Sequence, residues 1–303
     1  MPSTSTSSSK SSQTVCCENI PFTTNRNDIN LSLLTKSPKV IDFFQNMNEI
    51  GHFIPISFQV TDADWFCKPG AETPYNLGFW KGKLEATNAI TGKKVISNIC
   101  NNRGGCVACL FIVTCYMDGK TETLIPLTVQ DRLPSGRECE ELIAGMKDEE
   151  TGRLKLGKLA KEIQEEMPIC EISETDPDII NLGYIFPSPG WSDEYIELWC
   201  KEIEIDYGTY CHLKTGTFGE GDHESIKVKF YDYNEDFKTL VVPNIKDCKL
   251  LSALYKYEAL KKTNESKLTM VELLYATILL GTIALFILTV FNGLKIVMTI
   301  YTL

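Results

Sequence analysis

The chain has 303 residues, room for one large or two small domains, and its composition is that of a globular protein. A formal net charge of −10 argues against non-specific nucleic-acid binding. Twelve cysteines without a visible secretory signal point to a reducing cytosol rather than a disulfide scaffold.

Residues 1–38 are rich in Ser, Thr and Asn, show no sustained apolar periodicity, and read as disordered. The first fifteen lack acids, which leaves an organelle transit peptide as the alternative, supported only by Lys10. Residues 39–100 read as a small β-rich leader. Phe53–Val60 is strand-like, with Pro55 favouring an edge. Leu84–Thr91 and Lys94–Ile99 flank Thr91-Gly92-Lys93, a hairpin signal.

Residues 101–262 form the expected core. Val107–Thr114 and Thr123–Thr128 read as paired strands around Asp118-Gly119. Leu154–Met167 reads as a helix, then Ile179–Phe186, Tyr195–Ile205 and Ile226–Tyr231 as strands, and Leu250–Lys261 as a closing helix. Mixed strands with two helices imply an α/β/α sandwich. Cys106-Val107-Ala108-Cys109 is a CxxC run, but strand alternation sends its two sulfurs to opposite faces, which disfavours zinc. Buried free thiols are the simpler reading.

From Leu273 to Phe291 there are nineteen residues without a charge. A helix of that length spans about 28 Å, close to a hydrocarbon core of about 30 Å. Lys261, Lys262 and Lys267 precede the run and Lys295 follows it. Residues 263–303 therefore read as a single-pass C-terminal membrane anchor, with the rest of the chain facing the cytosol. A buried core helix is the alternative.

The stretch that organises the chain runs from Gly145 to Ile169. Helical spacing puts Glu162, Glu165 and Glu166 on one face. Like charges so placed repel by about a few tenths of a kcal/mol per pair, which suggests a counter-ion. Oxygen ligands suit Mg²⁺ or Mn²⁺ rather than zinc. An ordinary solvated acidic face is the bland alternative. Three of the five arginines, Arg103, Arg132 and Arg137, lie just before this stretch, as a phosphate site would place them; pairing with surface acids is the alternative.

The stretch resembles the Nudix box, Gx5Ex7REUxEExGU with U aliphatic. Gly145 matches the first glycine, and Lys161-Glu162-Ile163-Gln164-Glu165-Glu166-Met167-Pro168-Ile169 matches REUxEExGU, with Lys for Arg and Pro for the last Gly. The loop is two residues longer than the pattern, so its first Glu is Glu149 or Glu150. Four flanking stretches look like the nucleoside-diphosphate-sugar branch, the ADP-sugar, ADP-ribose and UDP-sugar diphosphatases. They are Arg103–Ala108, Gln130–Arg137, Ser188–Glu194 and Glu224–Val228.

The resemblance implies a Nudix sandwich and hydrolysis of a nucleoside-diphosphate sugar to AMP and a sugar phosphate. It implies Mg²⁺ (or Mn²⁺) on Glu162, Glu166 and the Ala144 carbonyl, with Glu165 catalytic beside them. Leu142-Ile143-Ala144-Gly145 matches the family's LPAG with Ile for Pro. Glu224, just before an IxV strand, takes the place of the general base. Arg103, Arg132 and Arg137 become substrate contacts. Glu194 is a second candidate for metal or substrate work, and Trp191 a stacking or core residue. In the family the leader often makes a dimer contact, so a homodimer is a candidate. The alternative from another class is a degenerate Nudix module that binds a nucleotide or a partner without turnover.

Overall fold

The computed structural model describes residues 13–17, 19–66, 76–146, 155–172, 176–219, 225–264, 266–267 and 270. Packing divides the chain into Met1–Ala253, which holds two sheets, and Leu254–Leu303.

The first sheet comprises β1 (Gln13–Cys17), β2 (Ile20–Thr24), β3 (Phe53–Phe66), β4 (Asn76–Asn88) and β5 (Lys94–Asn102), in that spatial order. A short helix α1 (Leu31–Leu34) and a longer one, α2 (Pro38–Ile50), join β2 to β3. Residues 13–34 thus contain two strands and a helix where the sequence reads as disordered. The signal is two short apolar pairs among Ser, Thr and Asn, and burial against distant residues completes it. Phe22 is fully buried, stacked on Phe58 at 5.5 Å and edge-on to Phe44 at 5.4 Å. Pro38 opens α2 and Gly51, at φ +67, closes it by donating to the Met47 carbonyl.

β3 follows the expected strand but runs past it. Pro55 lies at a register shift, outside the two residues, Phe58 and Gln59, that β2 covers. The missing N–H of proline is tolerated there because that part of β3 has a neighbour on one side. The expected hairpin joins β4 to β5, with Gly92 at φ +65 and the Asn88 side chain accepting from the Ile90 and Thr91 amides.

The second sheet is mixed. Its strands are β6 (Gly105–Met117), β7 (Lys120–Arg132), β8 (Arg137–Glu141), β9 (Ile143–Met146), β10 (Ile179–Ile185), β11 (Tyr195–Ile205) and β12 (Lys227–Asp232). The order is β10-β11-β6-β7-β12, with β8 paired to β7 and β9 to β6. β11 runs parallel to β6 and the other pairings are antiparallel. Asp118 (φ +52) and Gly119 (φ +78) make the β6–β7 turn, a conformation Asp-Gly adopts easily.

Val107, Cys109, Phe111 and Val113 of β6 pack with Leu159 and Ile163 of α3 (Lys155–Glu166) and with Leu213 of α4 (Tyr207–Thr215). Ala108, Leu110 and Ile112 point the other way and are buried too. A strand apolar on both faces needs cover on both. On that second face Tyr231 packs on Phe237, ring centroids 5.7 Å apart, and Leu250 and Ala253 are buried at the start of α5 (248–264). α4 has no counterpart among the expected elements, because its Gly and β-branched Thr weaken its helical pattern. Asp206 caps it, accepting from the Thr209 amide at 2.7 Å.

Cys106 and Cys109 are buried free thiols on opposite faces of β6, as alternation requires. Burial pushes the Cys106 thiol up to about 11 and Cys109 well above its ordinary value. Among the described residues no helix is long and apolar enough to cross a membrane. The uncharged run Leu273–Phe291 and residues 1–12 lie outside the described residues.

Candidate active site

The site gathers at the end of the second sheet where β6 begins and β9 ends. β9 lies antiparallel to β6, with Ala144 opposite Ala108 and Gly145 opposite Val107. Helix α3 packs onto β9, and the contact is closest at one point. A β-carbon on Gly145 would stand 2.3 Å from Glu162 Cγ and 2.4 Å from Glu162 Oε1. Only glycine lets that carboxylate lie flat against the strand.

The three box carboxylates do not share one environment. Glu162 lies on Gly145. Glu166, one turn on, is buried and close enough to Arg132 for its charge to raise the guanidinium pKa. Glu165 is half-buried and pairs with Lys161 at 3.1 Å, while its backbone carbonyl accepts from the Gly219 amide at 2.8 Å. That bond, with the Phe218–Ile226 bridge, ties both ends of the late loop to the end of the box helix. Glu224 is in this loop and lies outside the described residues, as do Glu149 and Glu150.

Arg103 enters β6 beside Glu194, with 3.3 Å between its Nη1 and Glu194 Oε1. Asp193 orients this corner: Oδ1 accepts from the Arg103 amide at 2.8 Å and the Gly104 amide at 3.3 Å. Burial raises the Asp193 pKa despite those bonds. The Arg132 side chain is 41% exposed. Its fork is turned on Glu141, Nε to Oε1 at 2.8 Å and Nη2 to Oε2 at 3.3 Å. Arg137, its register partner on β8, is exposed. Trp191 is 53% exposed, which removes the core role for it.

A curated protein described as Nudix hydrolase 14, chloroplastic, from Arabidopsis thaliana is 32% identical over 189 residues, 60% of this chain. Over that stretch the chain is similar to a Nudix hydrolase. The match spans 58% of the relative's own length. No family model matches the chain. A solved structure titled as an ADP compounds hydrolase superposes with a TM-score of 0.42 at 10% identity, covering 70% of this chain and 96% of that one.

Behind the acidic helix lies a charged network that sequence spacing does not reveal. Glu141, at the end of β8, is held between Arg132 and Lys249, whose Nζ is 2.9 Å from Glu141 Oε2. Lys249 Nζ also lies 3.0 Å from Asp247 Oδ1, and Asp247 Oδ2 accepts from the Leu142 amide at 3.0 Å. Burial alone would raise Glu141, but the hydrogen bond of Arg132 and the charge of Lys249 outweigh it and hold the carboxyl below its ordinary value. Sequence spacing could not find these partners, because Leu142 and Asp247 are 105 residues apart.

The Gly145 seat fits a hard divalent ion. Glu162 and Glu166 are oxygen donors one helical turn apart beside the strand that carries Ala144, the donor chemistry Mg²⁺ and Mn²⁺ prefer. Among the described residues no group of three or more His, Cys, Asp or Glu converges as a metal cluster; Glu149, Glu150 and Glu224 are outside that set.

Proposed function

We propose that the chain hydrolyses the diphosphate bond of a nucleoside-diphosphate sugar, an ADP-sugar or ADP-ribose, to AMP and a sugar phosphate. The observation that carries this reading is the Glu162 carboxylate seated on Gly145, with Glu166 behind it. Glu162, Glu166 and the Ala144 carbonyl would hold Mg²⁺ or Mn²⁺. Such an ion neutralises charge on the diphosphate and orients a water.

The protein's own groups do the rest. Arg103, beside Glu194, binds a phosphate oxygen with its guanidinium fork, and exposed Arg137 adds a second cation. Arg132, steadied by Glu141, is a further cation for the substrate phosphates. Glu165 anchors the late loop through its carbonyl. Glu224, on that loop, takes the proton from the attacking water. The water oxygen bonds to one phosphorus, the bond to the bridging oxygen breaks, and the two phosphates separate.

The Leu273–Phe291 run would tether the enzyme to a membrane with its catalytic part on the cytosolic side. Exposed Ile54, Ile56, Val95 and Ile96 on β3 and β5 would support a homodimer through the first sheet. A second reading, a module that binds without turnover, is favoured by Lys161 and Pro168 in place of Arg and Gly. The test is release of AMP from ADP-glucose and ADP-ribose with and without Mg²⁺. Metal-dependent release supports the enzyme. Tight nucleotide binding with no release from either substrate supports the second reading.

A further inference from the structure

We infer that Lys249 and Asp247 are positioning residues for the site: they latch the start of α5 onto the strand that carries Ala144 and Gly145. This rests on the functional reading above. Leu142 is the single residue between β8 and β9. Its amide is held by Asp247 Oδ2 at 3.0 Å, and the residue before it, Glu141, by Lys249 Nζ at 2.9 Å. Asp247 Oδ1 also accepts from the Lys249 amide at 3.0 Å, which fixes the two latch residues relative to each other. The junction is therefore gripped on two successive residues, two and three positions before Ala144.

The chemistry of the latch argues for geometry over stability. Asp247, Glu141 and Lys249 side chains are 4%, 12% and 14% exposed. Buried ion pairs of this kind often add little stability over apolar packing of the same volume, because both charges lose water. What they do supply is direction: each charge has one arrangement in which its partners are satisfied. Here that arrangement sets where the β8–β9 junction lies. Arg132 is tied in as well, because the Glu141 carboxylate that Lys249 holds is the one its fork grips. A single lysine thus holds both the strand against which Glu162 rests and the carboxylate that grips the Arg132 fork.

The experiment uses the full chain and reads Mn²⁺ binding by electron paramagnetic resonance together with amide hydrogen exchange over residues 142–145. Lys249→Met should weaken Mn²⁺ binding at least fivefold and speed exchange at those amides at least tenfold. Lys249→Arg should restore both to within about threefold, since it keeps the cation. The comparison is Lys201→Met, which breaks a similarly buried pair with Asp176 on β11; it should leave Mn²⁺ affinity unchanged. If Lys249→Met binds Mn²⁺ like the wild type, or if Lys201→Met weakens binding equally, the positioning role is overturned. A wild-type chain that binds no Mn²⁺ and cleaves no nucleotide sugar overturns the functional reading, and this role with it. Mn²⁺ binding by the wild type with no change in Lys249→Met overturns this inference alone.

Discussion

The Glu162 side chain occupies the space that a β-carbon on Gly145 would need, with 2.3 Å between that position and Glu162 Cγ. Helix and strand approach this closely at a residue whose only function in the packing is to be small. Gly145→Ala should push Glu162 off β9. We expect a stability loss of about 1–3 kcal/mol, the usual cost of overpacking, and a roughly tenfold rise in the Mg²⁺ concentration for half activity. Chemical denaturation and a metal titration check the two effects separately. An unchanged titration would remove the seat from the site.

Glu166 is buried within charge range of Arg132. Glu166→Gln keeps the shape and loses the charge. Turnover should fall to background while the fold persists, as read by circular dichroism. Near wild-type activity at limiting Mg²⁺ would contradict the ligand assignment.

Glu224 precedes Ser225 and the start of β12, on a loop whose ends are tied to α3. If it is the base, Glu224→Gln should lower kcat by roughly 10²–10⁴-fold, with KM nearly constant. Its metal requirement should also stay constant, unlike that of the box variants. A raised metal requirement would make Glu224 a ligand, and full activity would send the search to Glu194.

Acid should weaken the latch. The Glu141 carboxyl is held below its ordinary value of 4.5 in the folded protein. Its contribution to stability is therefore present above about pH 4.5 and is lost as pH falls through the depressed folded value. Urea unfolding midpoints measured from pH 7 to pH 3 should drop more steeply for the wild type than for Glu141→Gln, which has no such charge to lose. Parallel curves would assign the acid sensitivity to other carboxylates.

Removal of residues 268–303 takes away the uncharged run and leaves both sheets and α5 (248–264). The full chain should float with phosphatidylcholine vesicles, and the shortened chain should stay in the soluble fraction with its activity intact. A shortened chain that aggregates would place the run in a protein core rather than in lipid.

β6 was legible because it is buried on both faces and reads as a long apolar run, and β7, β10, β11 and β12 from their strand-like composition, whereas β8 and β9 carry no such signal. The box helix was legible from its glutamates, and the Asp118-Gly119 and Thr91-Gly92-Lys93 turns from residues that accept positive φ. Tertiary structure alone decided the rest. β1 and β2 are too short to declare themselves and exist because Phe22 finds Phe58 and Trp80. α4 depends on its cap and on Leu213 reaching the core. The three glutamates share a helical face by spacing, and Lys161 pairs with Glu165 within the helix, but the seat of Glu162 on Gly145 and the burial of Glu166 were set by the elements packed around them. That Glu141 holds the fork of Arg132 was set by the pairing of β7 with β8. Lys249 and Asp247 carried no local pattern at all, because a buried charge is identified by partners that only folding brings from more than 100 residues away.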